Sequence, residues 1–130
     1  MTDRTRSHLL KAQELEASID PTGLWSLQIT QSQDAAEHAF RAILFGMGIN
    51  RLSDHRLDIV ARQHQQLLTG VWPCLEPLLP DYAWLWEWRN VARYAHVDAP
   101  PEATPEITEH DLNRARQTTK KLVEIAQSLV

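Results

Sequence analysis

With one cysteine, Cys74, among its 130 residues, the chain can form no internal disulfide, and a reducing cytoplasm is the expected setting. No set of Cys and His residues has the spacing of a structural zinc site, so no metal and no other cofactor is expected. No apolar run approaches the roughly 20 residues that span a bilayer, so no membrane-spanning helix is expected in these residues. The first residues, "MTDRTRSHLLKAQ", lack the continuous apolar segment of a signal peptide. Runs of alternating β-branched residues are missing too, so strands are not expected. Basic residues are outnumbered, 13 Lys and Arg against 17 Asp and Glu, for a formal charge of −4. That balance argues against broad electrostatic binding along nucleic acid, which needs an extended basic surface. Any grip on phosphate must be a local pocket.

What the chain does have is helical periodicity. A hydrophobic content of 43% against 23% charged residues suits one globular domain over residues 1–130, large enough to bury a core. Leu9, Ala12, Leu15 and Ile19 predict a helix from Ser7 to Ile19, stopped by Asp20-Pro21 and Gly23. Ala36, Ala39, Phe40, Ile43 and Met47 predict a second, within Gly23 to Met47, with Gly46 and Gly48 suited to its exit. A third is expected after Ser53, a plausible cap, with Leu57, Val60, His64, Leu67 and Val71 in register. Pro73, Pro77 and Pro80 then interrupt regular structure. A fourth helix is predicted from Asp81 to His96, and "DAPPEATPE" (98–106) reads as a loop. Thr108 and Asp111 have capping-box spacing for a last helix, striped by Leu112, Ala115, Thr119, Leu122, Ala126 and Leu129. The expected fold is all-α, an up-down bundle of four to five helices.

The chemistry concentrates in "WEWRNVARYAH", residues 86–96. At 100° per residue, Trp84, Trp88, Val91 and Ala95 fall within about 60° of one another and form the expected core stripe. Arg89, Arg93 and His96 form a second row, centred about 130° away, with Leu85 and Ala92 beside them. A solvated face with cations near the helix C-terminus is the ordinary explanation of such a row. Against it, three cations without an interleaved carboxylate repel one another unless an anion is held there. Trp86 at the edge of the row suggests an interface. His38 and His64 read as core or boundary residues, His8 and His110 as surface, and Cys74 as a small buried residue. Arg51, Arg56 and Arg62 alternate with Asp54 and Asp58, the pattern of a mixed-charge solvated face.

"RNVARYAH" resembles the signature of the HEPN domain: an Arg, a polar residue directly after it, a spacer, and a His near a helix end. The spacer here has six residues, the long limit of the family's usual spacing. "SQDAAEHAFRAILFGMGINRLSDHRL" is similar to the family's second-helix pattern, and the resemblance runs roughly from Trp25 to Val130. It implies a HEPN-type bundle that pairs as a homodimer, the two motifs facing one cleft. Many such domains are metal-independent endoribonucleases acting as toxins or in defence, often beside a nucleotidyltransferase-type antitoxin. Others are non-catalytic modules that dimerise or bind a nucleotide or a protein partner. On this resemblance, Arg89 and His96 are the catalytic pair and Arg93 and Asn90 the RNA-binding residues, with Leu85, Trp86 and Ala92 at the dimer interface. One common form of the motif has a tyrosine two residues after the histidine. Asp98 stands there instead.

Overall fold

The computed structural model describes residues 3–50, 56–94 and 107–130, and for 89–94 the backbone alone. Its helices are α1 (Asp3–Ala17), α2 (Trp25–Gly46), α3 (Leu57–Gln63), α4 (Trp72–Leu75), α5 (Leu79–Tyr94) and α6 (Glu109–Ser128). Short 3₁₀ turns, Gln65–Leu68 and Glu76–Leu78, link the middle pieces. Among the described residues there is no strand. No described helix is long and apolar enough to cross a membrane.

The long helices alternate in direction. His8 of α1 meets His38 of α2, and a side chain at Gly46 would touch Thr5, so the start of α1 lies at the end of α2. Helix α6 runs parallel to α2. Thr119 donates to the Ser32 carbonyl at 2.8 Å, and further along Leu129 lies against Gly46. The α4–α5 segment runs the other way: Cys74 shares a cavity with Ser128, whereas Asp81 pairs with Arg114 at 2.9 Å. Helix α5 is therefore antiparallel to α2, and Phe40 packs edge-on against Tyr82 at 4.9 Å between them.

Local chemistry explains the ends. Gly48, at φ +90°, closes α2: its N–H reaches the Phe45 carbonyl, and the Ile49 N–H reaches Leu44, returning a buried Ile49 to the core. Thr108 caps α6 as expected. Its hydroxyl accepts from the Asp111 N–H, and the Asp111 carboxylate accepts from the Thr108 N–H. Pro73, Pro77 and Pro80 each sit at the start of a helical piece, where a missing N–H costs nothing.

Two stretches depart from their sequence patterns. The third helix stops at Gln63, and the following 3₁₀ turn shifts the facing, so Leu67 is exposed and Leu68 fully buried. His64, expected at the core or its boundary, is exposed, with Nδ1 3.0 Å from the Val60 carbonyl. Ser53, the expected cap, lies outside the described residues. In α4 the turn carrying Pro73 points Leu75 inward and leaves Cys74 exposed, not buried.

His8 is the other departure. It is half-buried, its Nδ1 2.9 Å from His38 Nδ1, in a stack with His38 and Phe45. One imidazole must donate and the other accept, so the contact needs at least one neutral ring. Burial is the main cause that lowers both pKa values from the ordinary 6.5. For His8 the His38 ring, Arg41 and Arg4 add to it, against Glu37; for His38 Arg41 and Lys11 add to it, against Glu37 and Asp34. A lowered folded pKa means that the unfolded chain takes up protons first as pH falls. The contribution is present above 6.5 and is lost as pH drops through the folded values. Unfolding free energy should therefore decline from about pH 7 to about pH 5.5, and less steeply in a His8→Gln/His38→Gln variant. Equal slopes in urea titrations of the two proteins would exclude the pair as the cause.

Candidate active site on α5

Helix α5 lies across α2, with its first turn joined to α6. Arg114 Nε donates to Asp81 Oδ1, and the same guanidinium covers the Trp84 ring at 4.3 Å. Trp84 meets Trp88 edge-on at 6.2 Å. Both are partly buried and pack against the core without lying inside it. An indole is large and carries an N–H that usually needs a partner when enclosed, so it is seldom buried completely.

Among the described side chains of α5, the fully buried ones are Leu79, Tyr82 and Leu85, rather than the tryptophans that the wheel assigns to the core. This corrects the expectation for Leu85. It has no exposed surface and belongs to the chain's own core, so in this fold it offers nothing to a dimer interface. Phe40 and Ile43 are fully buried as expected. Trp86 is not an exposed residue either. It is partly buried against the core, with Arg56 5.5 Å over its ring and its Nε1 enclosed without a hydrogen-bond partner. Arg56 is held in turn by Asp58, through Nε at 3.1 Å and Nη2 at 3.0 Å. Within that acid–base alternation, Arg56 and Asp58 thus form a bidentate pair, while Arg51 and Asp54 lie outside the described residues.

Arg89, Asn90, Ala92 and Arg93 lie on α5, whose helical backbone runs to Tyr94. Their side chains, and Val91's, are outside the described residues, as is the whole of His96. Their helix positions carry information nonetheless. Arg89 follows Leu85 by four residues and Tyr82 by seven, about 40° and 20° away on the wheel. On the helix backbone, the positions of Arg89 and Arg93 are thus in register with buried Tyr82 and Leu85. On α2 the sequence pattern missed Gln33, which is fully buried with neither amide atom partnered. The signal was present: Gln33 precedes Ala36 by three and Phe40 by seven, a polar residue at an apolar stripe position.

Among the described residues, no three or more His, Cys, Asp or Glu side chains gather as a metal site. No curated protein and no solved structure matches the chain. A family model, that of the HEPN domain, matches residues 9–129, and it takes in all of α2 to α6. With its helical bundle and a match over nearly its whole length, the chain belongs to the HEPN domain family.

Proposed function

We propose that this HEPN domain is a metal-independent endoribonuclease, a toxin or defence effector, whose site forms where two copies pair along α5. The observation that carries the reading is the register of the motif. Tyr82 and Leu85 are fully buried, and Arg89 continues their row. A cationic row in line with a buried stripe is poorly explained as a solvated face, where charges normally sit on the opposite side. It is well explained as the lining of a cleft.

RNA supplies its own nucleophile. His96 of one copy removes the 2′-OH proton as O2′ attacks the adjacent phosphorus. Arg89 holds the phosphate oxygens and offsets the charge that develops on them, with Arg93 and Asn90 adding to the grip. His96 from the second copy gives a proton to the departing O5′. The products are a 2′,3′-cyclic phosphate and a 5′-hydroxyl. Each chain has one motif histidine, so the acid and the base come from different chains.

The test is direct. Purified protein, free of any partner, should cleave RNA in the presence of EDTA, leave DNA of the same sequence intact, and release cyclic-phosphate ends. RNA left whole between about pH 6 and about pH 9, where histidine acid–base pairs work, would refute the activity. The domain would then be read as a non-catalytic binding module, a reading that the net charge of −4 favours.

A further inference from the structure

Most hydroxyls sealed inside a folded protein are hydrogen-bonded, so one without a partner calls for a reason. Ser32 on α2 carries such a group: the residue is fully buried, and its Oγ has no hydrogen-bond partner. It lines a cavity of about 360 Å³ between α1, α2 and α6, a size that suits a small ligand. Thr119 lines the same cavity, but its hydroxyl is engaged, 2.8 Å from the Ser32 carbonyl and 3.0 Å from that of Ala115. That contact fixes the level of α6 against α2. Water could satisfy one hydroxyl, but the rest of the lining points to more than water.

Asn113, Arg116, Gln117 and Lys120 line the cavity from α6, at the i, i+3, i+4 and i+7 spacing of one helix face. Arg116 and Lys120 are about 6 Å of rise apart, close enough for both to reach one anion. Like charges at this spacing repel, and among the described residues neither forms an ion pair. The two amides add N–H donors, and Ser32 adds an O–H. A phosphate monoester, with nearly two negative charges and three strong acceptor oxygens, matches that set. Glu16 of α1 also lines the cavity, partly buried and without an ion pair. A carboxylate repels a bare anion and accepts only, so the ligand must carry donors beside its phosphate. We infer that this cavity binds a phosphate monoester with neighbouring hydroxyl groups, the chemistry of a sugar phosphate. Arg116, Lys120 and Ser32 hold the phosphate, and Glu16 accepts from a hydroxyl. No residue of α5 lines the cavity, so the site is separate from the motif helix and does not rest on the ribonuclease reading. It also fits a net charge of −4, which leaves phosphate to be held in a local pocket.

The experiment titrates the protein with ribose 5-phosphate, inorganic phosphate and ribose while backbone amide resonances are followed. Ribose 5-phosphate should bind saturably, shift the resonances of residues 113–120, and bind about tenfold or more tighter than ribose. Arg116→Gln/Lys120→Gln should weaken it about tenfold or more, and both positions are exposed, so the fold should hold. Ser32→Ala should weaken it about fivefold with the thermal midpoint level or higher, because a buried unpaired group is removed. Glu16→Gln should tighten inorganic phosphate and erase the advantage of the sugar phosphate over it. AMP separates two sources of the same chemistry: an affinity about tenfold above ribose 5-phosphate marks a nucleotide, and an equal or lower one a sugar phosphate. Wild-type protein that shows no saturable binding in the millimolar range would leave a hydrated cavity only and overturn the inference. So would binding untouched by the α6 or Ser32 substitutions, or binding lost in Arg89→Ala and kept in the α6 variant, which would place the ligand in the motif cleft.

Discussion

His96→Ala is expected to lower RNA cleavage by about 10²–10⁴-fold, the usual loss on removing a positioned acid or base. In a dimer that uses one histidine as base and the other as acid, the substitution removes both at once, which places the effect toward the upper end. Arg89→Ala should fall in a similar range, since the clamp on the phosphate carries the charge of the transition state. Arg93→Ala should be milder and act mainly on KM. Mixing His96→Ala with Arg89→Ala chains provides a sharper check. A heterodimer keeps one intact histidine and one intact arginine, so activity should not return if each cleft needs both histidines. Cleavage by His96→Ala within about tenfold of wild type would remove His96 from the chemistry.

Leu85→Ala is expected to cost about 2–5 kcal/mol of unfolding free energy, the range for emptying a buried leucine site. Leu85 is fully enclosed one turn after Tyr82, and a close-packed interior relaxes only partly around a deleted side chain. The helical wheel alone leads elsewhere, because it puts Leu85 on the motif face, where truncation would weaken a dimer and spare the monomer. Urea titrations at several protein concentrations separate the two. A core role gives a large loss that does not depend on concentration. A loss under about 1 kcal/mol that grows on dilution would return Leu85 to an interface.

Both expectations turn on which way α5 faces, and α5 shows where sequence reasoning holds and where it stops. The α6 cap was legible because it is local: Thr108 and Asp111 satisfy each other's orphan groups across one turn. The exit of α2 was legible for the same reason, since Gly48 takes a backbone conformation that other residues resist. The facing of α5 was not. Its tryptophans dominate any count of apolar area, yet Trp84, Trp86 and Trp88 are only partly buried, Trp84 under Arg114 and Trp86 under Arg56, and the smaller Tyr82 and Leu85 fill the core. Which arc of a helix is buried depends on how many neighbours it has and where they lie, and one helix's periodicity records only that some arc is apolar. His8 was misread in the same way. Nothing within α1 announces that His38, thirty residues away, will meet it at 2.9 Å.

By itself the sequence determined the helical class, the exit of α2, the cap of α6 and the family motif, because these rest on contacts within a turn or two of chain. Only the tertiary structure decided that Leu85 belongs to the core, that His8 pairs with His38, that Cys74 faces outward, and that Gln33 is sealed in without a partner. Those outcomes depend on helix direction and crossing, which bring residues far apart in sequence to the same level of the bundle. The free energy that sets them is spread over the whole packed interior, so no single stretch of the chain encodes it.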